Sequence, residues 1–429
     1  MRRSQLLLLS MISTIVAERP LWAQERPNGF FFTSPLSLSA GYDHNFISNS
    51  RSLDDKVAII TTPALSWIKS THRARLSTDY QAEFETFSRH QDLNAWNHEA
   101  TLRYSYRINA RWTADAGNSF LSTSDPSRRL AESQLLLPRG RYQQNAFFTG
   151  LRYRLNYRTS MSIRFDNAIT AMSLPSPRSN LSDQMTSAGS YTIDHTVNRR
   201  HSVTGSYAYL RIRPLDQRGS VAFSYQPIHN VTSGYRYTVN PGLNFRLTGG
   251  AVRGRELAYT AGGAVEKRVR GLSVMASYQR YLSFLGGFGP AGGISGGADA
   301  FANPLLPDSV FQALSVRVRG KLTRRIGLEI YGQRGQMSLA GQRIRSLIGQ
   351  SRVDYQLTDR LIIFARAEYF GQNVSQFADL PLSRQRYFGG LEIVLSRPPE
   401  QENAQLRHRG IFAEPSPRQS SAPQEAKGK

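Results

Sequence analysis

The feature that most constrains this chain is a two-residue alternation of apolar and polar side chains, repeated in segment after segment. Across 74–85, for example, apolar Tyr80 and Phe84 alternate with polar Gln81 and Glu83. An alternation of this period places the two sets of side chains on opposite faces of a β-strand. The pattern therefore predicts strands that turn one face to an apolar medium and the other to water.

We count about eighteen such segments, with a range of 16 to 18, and each is long enough for the roughly 9 to 11 residues with which a tilted strand crosses a bilayer. One segment, 220–239, is interrupted by Pro227. We interpret it as one long strand. Two strands there would make the total odd, and a neighbouring segment would then have to be a loop.

The connections between the segments alternate between two kinds. The short ones are rich in Asn, Asp, Arg or Gly, and they lie at 70–72, 109–110, 157–158, 198–199, 240–242, 269–271, 323–325 and 358–360. The longer ones lie at 49–55, 126–140, 174–181, 286–307 and 376–382. Short periplasmic turns and long external loops are typical of outer-membrane barrels. We therefore predict an all-β fold, a transmembrane antiparallel up-and-down β-barrel in the bacterial outer membrane.

The two ends of the chain differ from the alternating middle. Two arginines, an apolar stretch and a small residue at Ala23 form the pattern of a cleaved signal peptide, and an uncleaved anchor is disfavoured because the stretch is short. After residue 396 the alternation stops and the composition is typical of disorder. The predicted organisation is a signal peptide at 1–23, a short N-terminal periplasmic segment at 24–34, the barrel at 35–396 and a disordered periplasmic tail at 397–429.

Aromatic residues cluster within a few positions of the short connections. Half-polar aromatic rings are enriched where a barrel wall crosses the membrane–water interface. We therefore predict an interfacial girdle at the rim that carries the short turns, although ordinary strand aromatics would also produce this pattern. Its members are Trp67, Tyr104, Tyr106, Trp112, Tyr153, Tyr235, Tyr237 and Tyr355.

Composition excludes several classes of function. The chain contains no Cys, which excludes thiol catalysis, disulfides and thiolate metal sites. Beyond the leader no window approaches the roughly 18 to 20 apolar residues of a membrane helix, which argues against an α-helical membrane protein. The eight His residues show no close pairing of metal-site type, so we predict no metal and no cofactor.

A glycine-rich segment at 286–297 contains a Gly-x-Ser-x-Gly match at 293–297. That motif needs a strand-to-helix turn in an α/β fold, and the segment also lacks the Gly-Lys-Ser/Thr ending of a phosphate-binding loop. We expect a flexible outer loop here, no catalytic residues in the chain, and a protein that is not an enzyme. A barrel hydrolase with a Ser/His pair near an outer rim, using His44, is the least favoured alternative.

Arginine dominates the charge. The net charge is +23, from 54 Lys and Arg against 31 Asp and Glu, and only six of the cations are Lys. Charged groups are costly in hydrocarbon, so the polar strand faces must line a wet lumen. The predicted lumen-facing residues are Arg75, Asp79, Glu83, Arg103, Arg152, Arg154, Arg164, Asp166, Arg317, Arg319, Lys321, Arg352, Arg366 and Glu368.

Three roles for these charges remain open. Guanidinium groups fork onto carboxylates and phosphates, so an Arg-lined passage would favour anionic solutes. Opposite charges on neighbouring strands would form ladders that stiffen the wall. Arginines on the outer rims would bind the phosphates of lipopolysaccharide. Nucleic acid is not an expected partner, because the leader predicts export and the arginines are spread over many strands.

Several short stretches carry a family resemblance: LSLSAGYDHN at 36–45, TPALS at 62–66, Asn97-His98 followed by Leu102-x-Tyr104, and SDP at 124–126. With the recurring tyrosine cadence over roughly 35–396, the chain resembles the β-barrel porin type 2 family of outer-membrane proteins. Members are often associated with exopolysaccharide or capsule production. The resemblance implies a route or docking barrel for polysaccharide and carries no catalytic residues.

Our first hypothesis is a monomeric or trimeric pore for anionic solutes or for export of an acidic exopolysaccharide. The second is a barrel plugged by 126–140 and 286–307 that anchors surface polysaccharide or organises a secretion complex. An envelope lipid or glycan hydrolase is the third. The expected partners are outer-membrane lipid and lipopolysaccharide, the barrel-assembly machinery, and polysaccharide or its export proteins.

Overall fold

A computed structural model of the chain describes residues 28–45, 53–125, 139–173, 183–215, 227–254, 257–283, 309–339, 342–374 and 382–395. Its strand segments form one antiparallel sheet. They are β1 Gly29–Phe32, β2 Leu36–His44, β3 Asp55–Thr61, β4 Leu65–Ser70, β5 Ala74–Phe87, β6 Ala95–Arg107, β7 Trp112–Thr123, β8 Arg141–Arg154, β9 Thr159–Ser173, β10 Gln184–Thr196, β11 His201–Pro214, β12 Ile228–Asn240, β13 Leu243–Arg253, β14 Leu257–Val269, β15 Leu272–Ser283, β16 Ser309–Lys321, β17 Ile326–Leu339, β18 Gln342–Gln356, β19 Leu361–Val374 and β20 Leu382–Ile393. A 3-10 turn at Gln91–Leu93 is the one helix within these ranges. No helix in the described part of the chain is long and apolar enough to cross a membrane.

The twenty segments make eighteen barrel strands, because two strands are interrupted. β1 and β2 are separated at Pro35, and β3 and β4 at Pro63. Proline lacks the N–H that a central ladder needs. β1 pairs with β4 and β2 with β3, so the two breaks lie side by side, bridged by a hydrogen bond from the Thr33 N–H to the Ala64 carbonyl at 2.9 Å. Counted in this way, the eighteen strands confirm the predicted number.

The sheet closes on itself between its first and last strands. β2 pairs with β20 over nine residues, from Leu36 opposite Ile393 to His44 opposite Gln385. From β5 onward each strand pairs with the next along the chain. Closure removes the unpaired edges of the sheet. The predicted antiparallel up-and-down barrel is therefore confirmed.

The connections separate into two sets at opposite ends of the barrel. We call one end the turn end, because all eight predicted short connections lie there. Two of these connections are the two-residue turns 241–242 and 270–271. Arg270 and Gly271 both have positive φ, 48° and 90°, which the tight hairpin turn requires. The other end carries the longer connections and is called the loop end. Two of its links, 254–256 and 340–341, are also short.

The structure differs from the predicted boundaries at two places. The predicted strand 220–239 begins only at Ile228 in β12, directly after Pro227, and 220–226 lies outside the described residues. Proline is tolerated at the start of a strand, so 227 marks a boundary and the strand count stays even. The barrel wall begins at Gly29, within the segment predicted to precede it. The predicted signal peptide and the tail from 397 lie outside the described residues.

Candidate functional site: the interior of the barrel

The strand register sorts side chains onto two chemically distinct faces. One face carries exposed apolar residues such as Trp96, Ile163 and Leu247, which are 55%, 61% and 59% exposed. The opposite face carries buried charges such as Asp43 and Glu85, which are fully buried. The first face is the outer one and the second is the interior. Every Asp and Glu in the described strands occupies an inward position, as the paired registers require.

The predicted aromatic residues lie on the outer face near the turn end. Trp112 and Tyr153 are cross-strand partners with ring centroids 4.5 Å apart, and Tyr104 and Tyr106 stack at 6.4 Å. Trp67, Tyr235, Tyr237 and Tyr355 share this face by register. An apolar belt with aromatics at its rim, on a closed antiparallel barrel, is the architecture of outer-membrane barrels. The protein is therefore an outer-membrane β-barrel.

All the predicted lumen-facing residues occupy inward positions of their strands. They are Arg75, Asp79 and Glu83 on β5; Arg103 on β6; Arg152 and Arg154 on β8; Arg164 and Asp166 on β9; Arg317, Arg319 and Lys321 on β16; Arg352 on β18; and Arg366 and Glu368 on β19. Whether they line a conducting passage stays a prediction.

Part of this set is paired with neighbouring carboxylates. Arg164 contacts Asp166 at 2.7 Å, and Arg366 forms an ion pair with Glu368. Arg352 bridges Asp354 and Glu392, each at 2.7 Å. Three of these four contacts join residues two apart on one strand, and the fourth joins β18 to β20 across β19. They therefore differ from the predicted ladders, which would pair opposite charges on neighbouring strands.

Other cations of the set lack such a partner. Arg103, Arg152, Arg317, Arg319 and Lys321 form no ion pair within 4.0 Å to a carboxylate in the described part of the chain. Except for the partly buried Arg317, whose guanidinium lies 5.0 Å from the Tyr331 ring centroid, these side chains are exposed. All five lie in the half of the barrel nearer the turn end. This half of the interior is therefore solvated and carries cations without a close ion pair, although Arg319 lies opposite Glu329 in the register of β16 and β17.

A second set of arginines, which was not predicted from the sequence, recurs in the short turns. In six turns an Asn or Thr side-chain oxygen accepts backbone N–H bonds from the residues two and three positions later, and the residue two positions later is Arg. We call these six arginines the turn-end collar: Arg73, Arg111, Arg158, Arg200, Arg325 and Arg360. An Asn/Thr-x-Arg repeat in every predicted short turn but two was the signal that would have revealed it.

A cluster of charges lies on the interior side near the loop end, and six of its seven members are buried; we call it the mouth cluster. Its members are Asp43, Glu85, Asp125, Arg139, Glu368, Arg384 and Arg386. Of these, only Glu368 is among the site residues predicted from the sequence. Asp43 meets Arg384 and Arg386 through the closure of the barrel between β2 and β20, although 341 residues separate it from Arg384.

Arg384 is the centre of the mouth cluster. It bonds both oxygens of Asp43, at 2.9 and 2.7 Å, and both oxygens of Asp125, at 3.2 and 2.7 Å. Burial by itself raises the pKa of the Asp125 carboxyl, but the charges of Arg384 and Arg139 outweigh it and hold that pKa well below its usual range. The Asp125 carboxyl therefore remains ionised at neutral pH.

Apolar side chains pack beside the mouth cluster. Arg139 bonds Glu85 at 2.6 Å, and its guanidinium lies 4.6 Å from the Phe87 ring centroid. Val57, Ile59, Phe87 and Phe388 form a buried apolar group on the interior side. The interior is thus packed near the loop end and solvated near the turn end.

A cavity of about 230 Å³ lies between these two regions, along the wall where the barrel closes. Its lining combines hydroxyls, aromatic rings and guanidinium groups, including Ser37, Ser39, Phe364, Arg366 and Arg386. Glu83 and Glu392 also line it, and Arg366 and Arg386 form ion pairs with Glu368 and Asp43, so much of the positive charge of this cavity is compensated.

Three further predictions concern His44, a metal site and the glycine-rich segment. His44 lies on the outer face, and its Nδ1 is 2.7 Å from the Asp54 carboxylate. Within the described residues no group of three or more His, Asp or Glu is arranged to hold a metal ion. The glycine-rich segment 286–297 lies outside those residues, as do 126–138 and 298–307.

Comparison with known proteins adds little. No family model and no curated protein matches the sequence, so the resemblance to the porin type 2 family is unsupported at that level. Among solved structures the chain is similar to OpdL of Pseudomonas aeruginosa, with a TM-score of 0.44, 10% identity, and 85% of this chain and 99% of that chain covered. For the siderophore receptor PirA of Pseudomonas aeruginosa the values are 0.39, 9%, 86% and 81%. Likenesses this distant do not extend to function.

Proposed function

We propose that the protein is a porin-like channel whose basic interior accepts anionic solutes, with acidic exopolysaccharide as the candidate cargo. The observation that supports the proposal is the row of inward cations on β16, Arg317, Arg319 and Lys321. Arg319 and Lys321 are exposed to a solvated interior, Arg317 is partly buried, and none of the three has a carboxylate partner within 4.0 Å among the described residues. An uncompensated charge at a wide, wet wall attracts counter-ions of the opposite sign.

The proposal needs no bond chemistry. Anions would concentrate near the turn end, because guanidinium groups without a close carboxylate lie there. They would then pass along the wall cavity toward the loop end. The mouth cluster would then set the size and rate of what passes.

The test is the conductance and ion selectivity of the refolded protein in a planar bilayer. The wild type is expected to conduct with preference for anions, and Arg317→Ser/Arg319→Ser is expected to move the permeability ratio toward unity. The matched control is Arg334→Ser/Arg345→Ser, which removes the same charge from the outer face and should leave selectivity unchanged. Equal effects of the two variants, or cation preference in the wild type, would contradict the proposal.

A second candidate function is a closed barrel that anchors surface polysaccharide or organises a secretion complex. The mouth cluster favours it, because six of its seven charged side chains are buried at the loop end. The same bilayer measurement tests this alternative. The barrel is closed if the folded wild type carries no current and the Arg384→Ala variant does.

The outer face supports the predicted contact with lipopolysaccharide. All acidic strand residues in the described ranges face inward, whereas outward cations gather near the loop end. We call these the outer arginine belt: Arg141, Arg211, Arg213, Arg253, Arg280, Arg334 and Arg345. Phosphates of a lipid headgroup in the external leaflet are the ligand class that such a belt would recognise.

A further inference from the structure

The turn-end collar is built the same way at each of its six positions. In each turn the collar carbonyl accepts an N–H bond from the end of the neighbouring hairpin, at 2.7 Å for Arg73 and 2.8 Å for the other five. The side chains do not take part in these bonds. The backbone therefore holds the arginines in place while their guanidinium groups remain available.

The collar arginines face the lumen at the turn end of the barrel and do not face the lipid. Each collar arginine directly precedes a strand whose first residue faces outward: Ala74, Trp112, Thr159, His201, Ile326 and Leu361. By alternation the arginine itself takes the inward position. All six are exposed, and none forms an ion pair with a carboxylate in the described part of the chain.

The spacing of the collar determines what it can hold. Four collar arginines precede β5, β7, β9 and β11, and the other two precede β17 and β19. Within each of these two groups, successive positions lie two strands apart, which is about 10 Å across the sheet. A small anion can engage one such position, whereas a flexible polyanion can engage several at once. Multivalent contact raises overall affinity without any new type of contact.

We propose that the turn-end collar is the entry site of a linear polyanion, a chain with a carboxylate or phosphate on successive units, which enters the lumen from the periplasmic side. This inference rests on the proposed function, because it names the substrate class and the side of entry. Beyond the collar, the inward cations Arg319, Lys321 and Arg154 continue the positive surface into the barrel.

The test compares binding of oligomeric and monomeric uronate. We expect the folded wild type to bind a twelve-unit alginate oligomer at least roughly 10²-fold more tightly than it binds glucuronate. Replacing all six collar arginines by Gln should remove most of that difference. The matched control replaces Arg141, Arg211, Arg213, Arg253, Arg334 and Arg345 by Gln, which removes the same charge from the outer face and should leave oligomer binding intact.

Two further measurements distinguish the possible outcomes. The six-fold Arg→Lys collar variant should fold and retain most binding, which separates loss of charge from loss of fold. Oligomer binding is also measured in nanodiscs with and without phosphatidylglycerol, which tests whether the collar binds lipid. Strong competition of this lipid with the oligomer would overturn the proposal. Equal losses in the collar and control variants would overturn it as well. Because small-anion conductance is measured separately, intact oligomer binding in a non-conducting barrel would refute only the channel.

Discussion

The Asp125 carboxylate accepts a hydrogen bond from the Arg384 guanidinium at 2.7 Å, although their strands are not neighbours. Between β7, which ends just before Asp125, and β20 the sheet contains β6, β5, β3 and β2. Five strand spacings amount to about 24 Å along the wall. The two side chains therefore meet inside the barrel, and the chain directly after β7 is held against a part of the wall five strands away.

Replacing Arg384 by Met should destabilise the barrel and open the loop end. Asp43 and Asp125 would remain buried with their main cation removed, and breaking one partner of a buried pair costs about 3–5 kcal/mol. Urea unfolding in detergent would measure the stability, and single-channel current would measure the opening. Arg345→Met, at an exposed outer position, is the control and should change neither. Unchanged current in a destabilised Arg384 variant would show that the mouth cluster does not restrict passage.

The contribution of Asp125 to stability should persist through mild acid. Its pKa is lowered in the folded state by Arg384 and Arg139 despite burial, whereas an unfolded aspartate titrates near about 3.9. A lowered folded pKa means that the stabilisation is present above the unfolded value and is lost as pH falls toward the folded value. The urea midpoint difference between wild type and Asp125→Asn should therefore be constant from pH 8 to about pH 5 and shrink below about pH 4. Loss of that difference already between pH 7 and 6 would contradict the assignment.

The faces and turns of the barrel were predictable because they depend on local sequence. Alternation alone assigned Arg75 and Arg317 to the interior and Trp112 to the outside, since neighbouring residues of a strand must face opposite ways. The eight short turns were recognisable because they are short and rich in Asn, Asp, Arg or Gly. The mouth cluster was not predictable, because Asp43, Asp125 and Arg384 become neighbours only when the barrel closes.

The outer arginine belt should bind lipid phosphate. One cross-strand row on the outer face is polar throughout: Arg280, Gln312, Gln336, Arg345 and Asn373. Arg280→Gln/Arg334→Gln/Arg345→Gln should lower affinity for lipid A in nanodiscs by about 1 kcal/mol per residue. The control, Arg73→Gln/Arg200→Gln/Arg360→Gln, removes three collar charges at the other end. Matching losses in both variants would indicate attraction by net charge alone.

Closure of the barrel should depend on the absence of a side chain at Gly41. This residue lies in β2 opposite Phe388 of β20, and a Cβ built there would lie 1.8 Å from the Tyr387 carbonyl oxygen. Backbone at that distance must move, and overpacking of this kind costs about 1–3 kcal/mol or more. Gly41→Ala should therefore reduce the yield of closed barrel, measured as the fraction that resists unfolding in cold SDS. Gly389→Ala is the matched control on the same seam, because a Cβ there meets nothing within 4 Å. If both variants close equally well, the tight approach of β2 and β20 is not what limits closure.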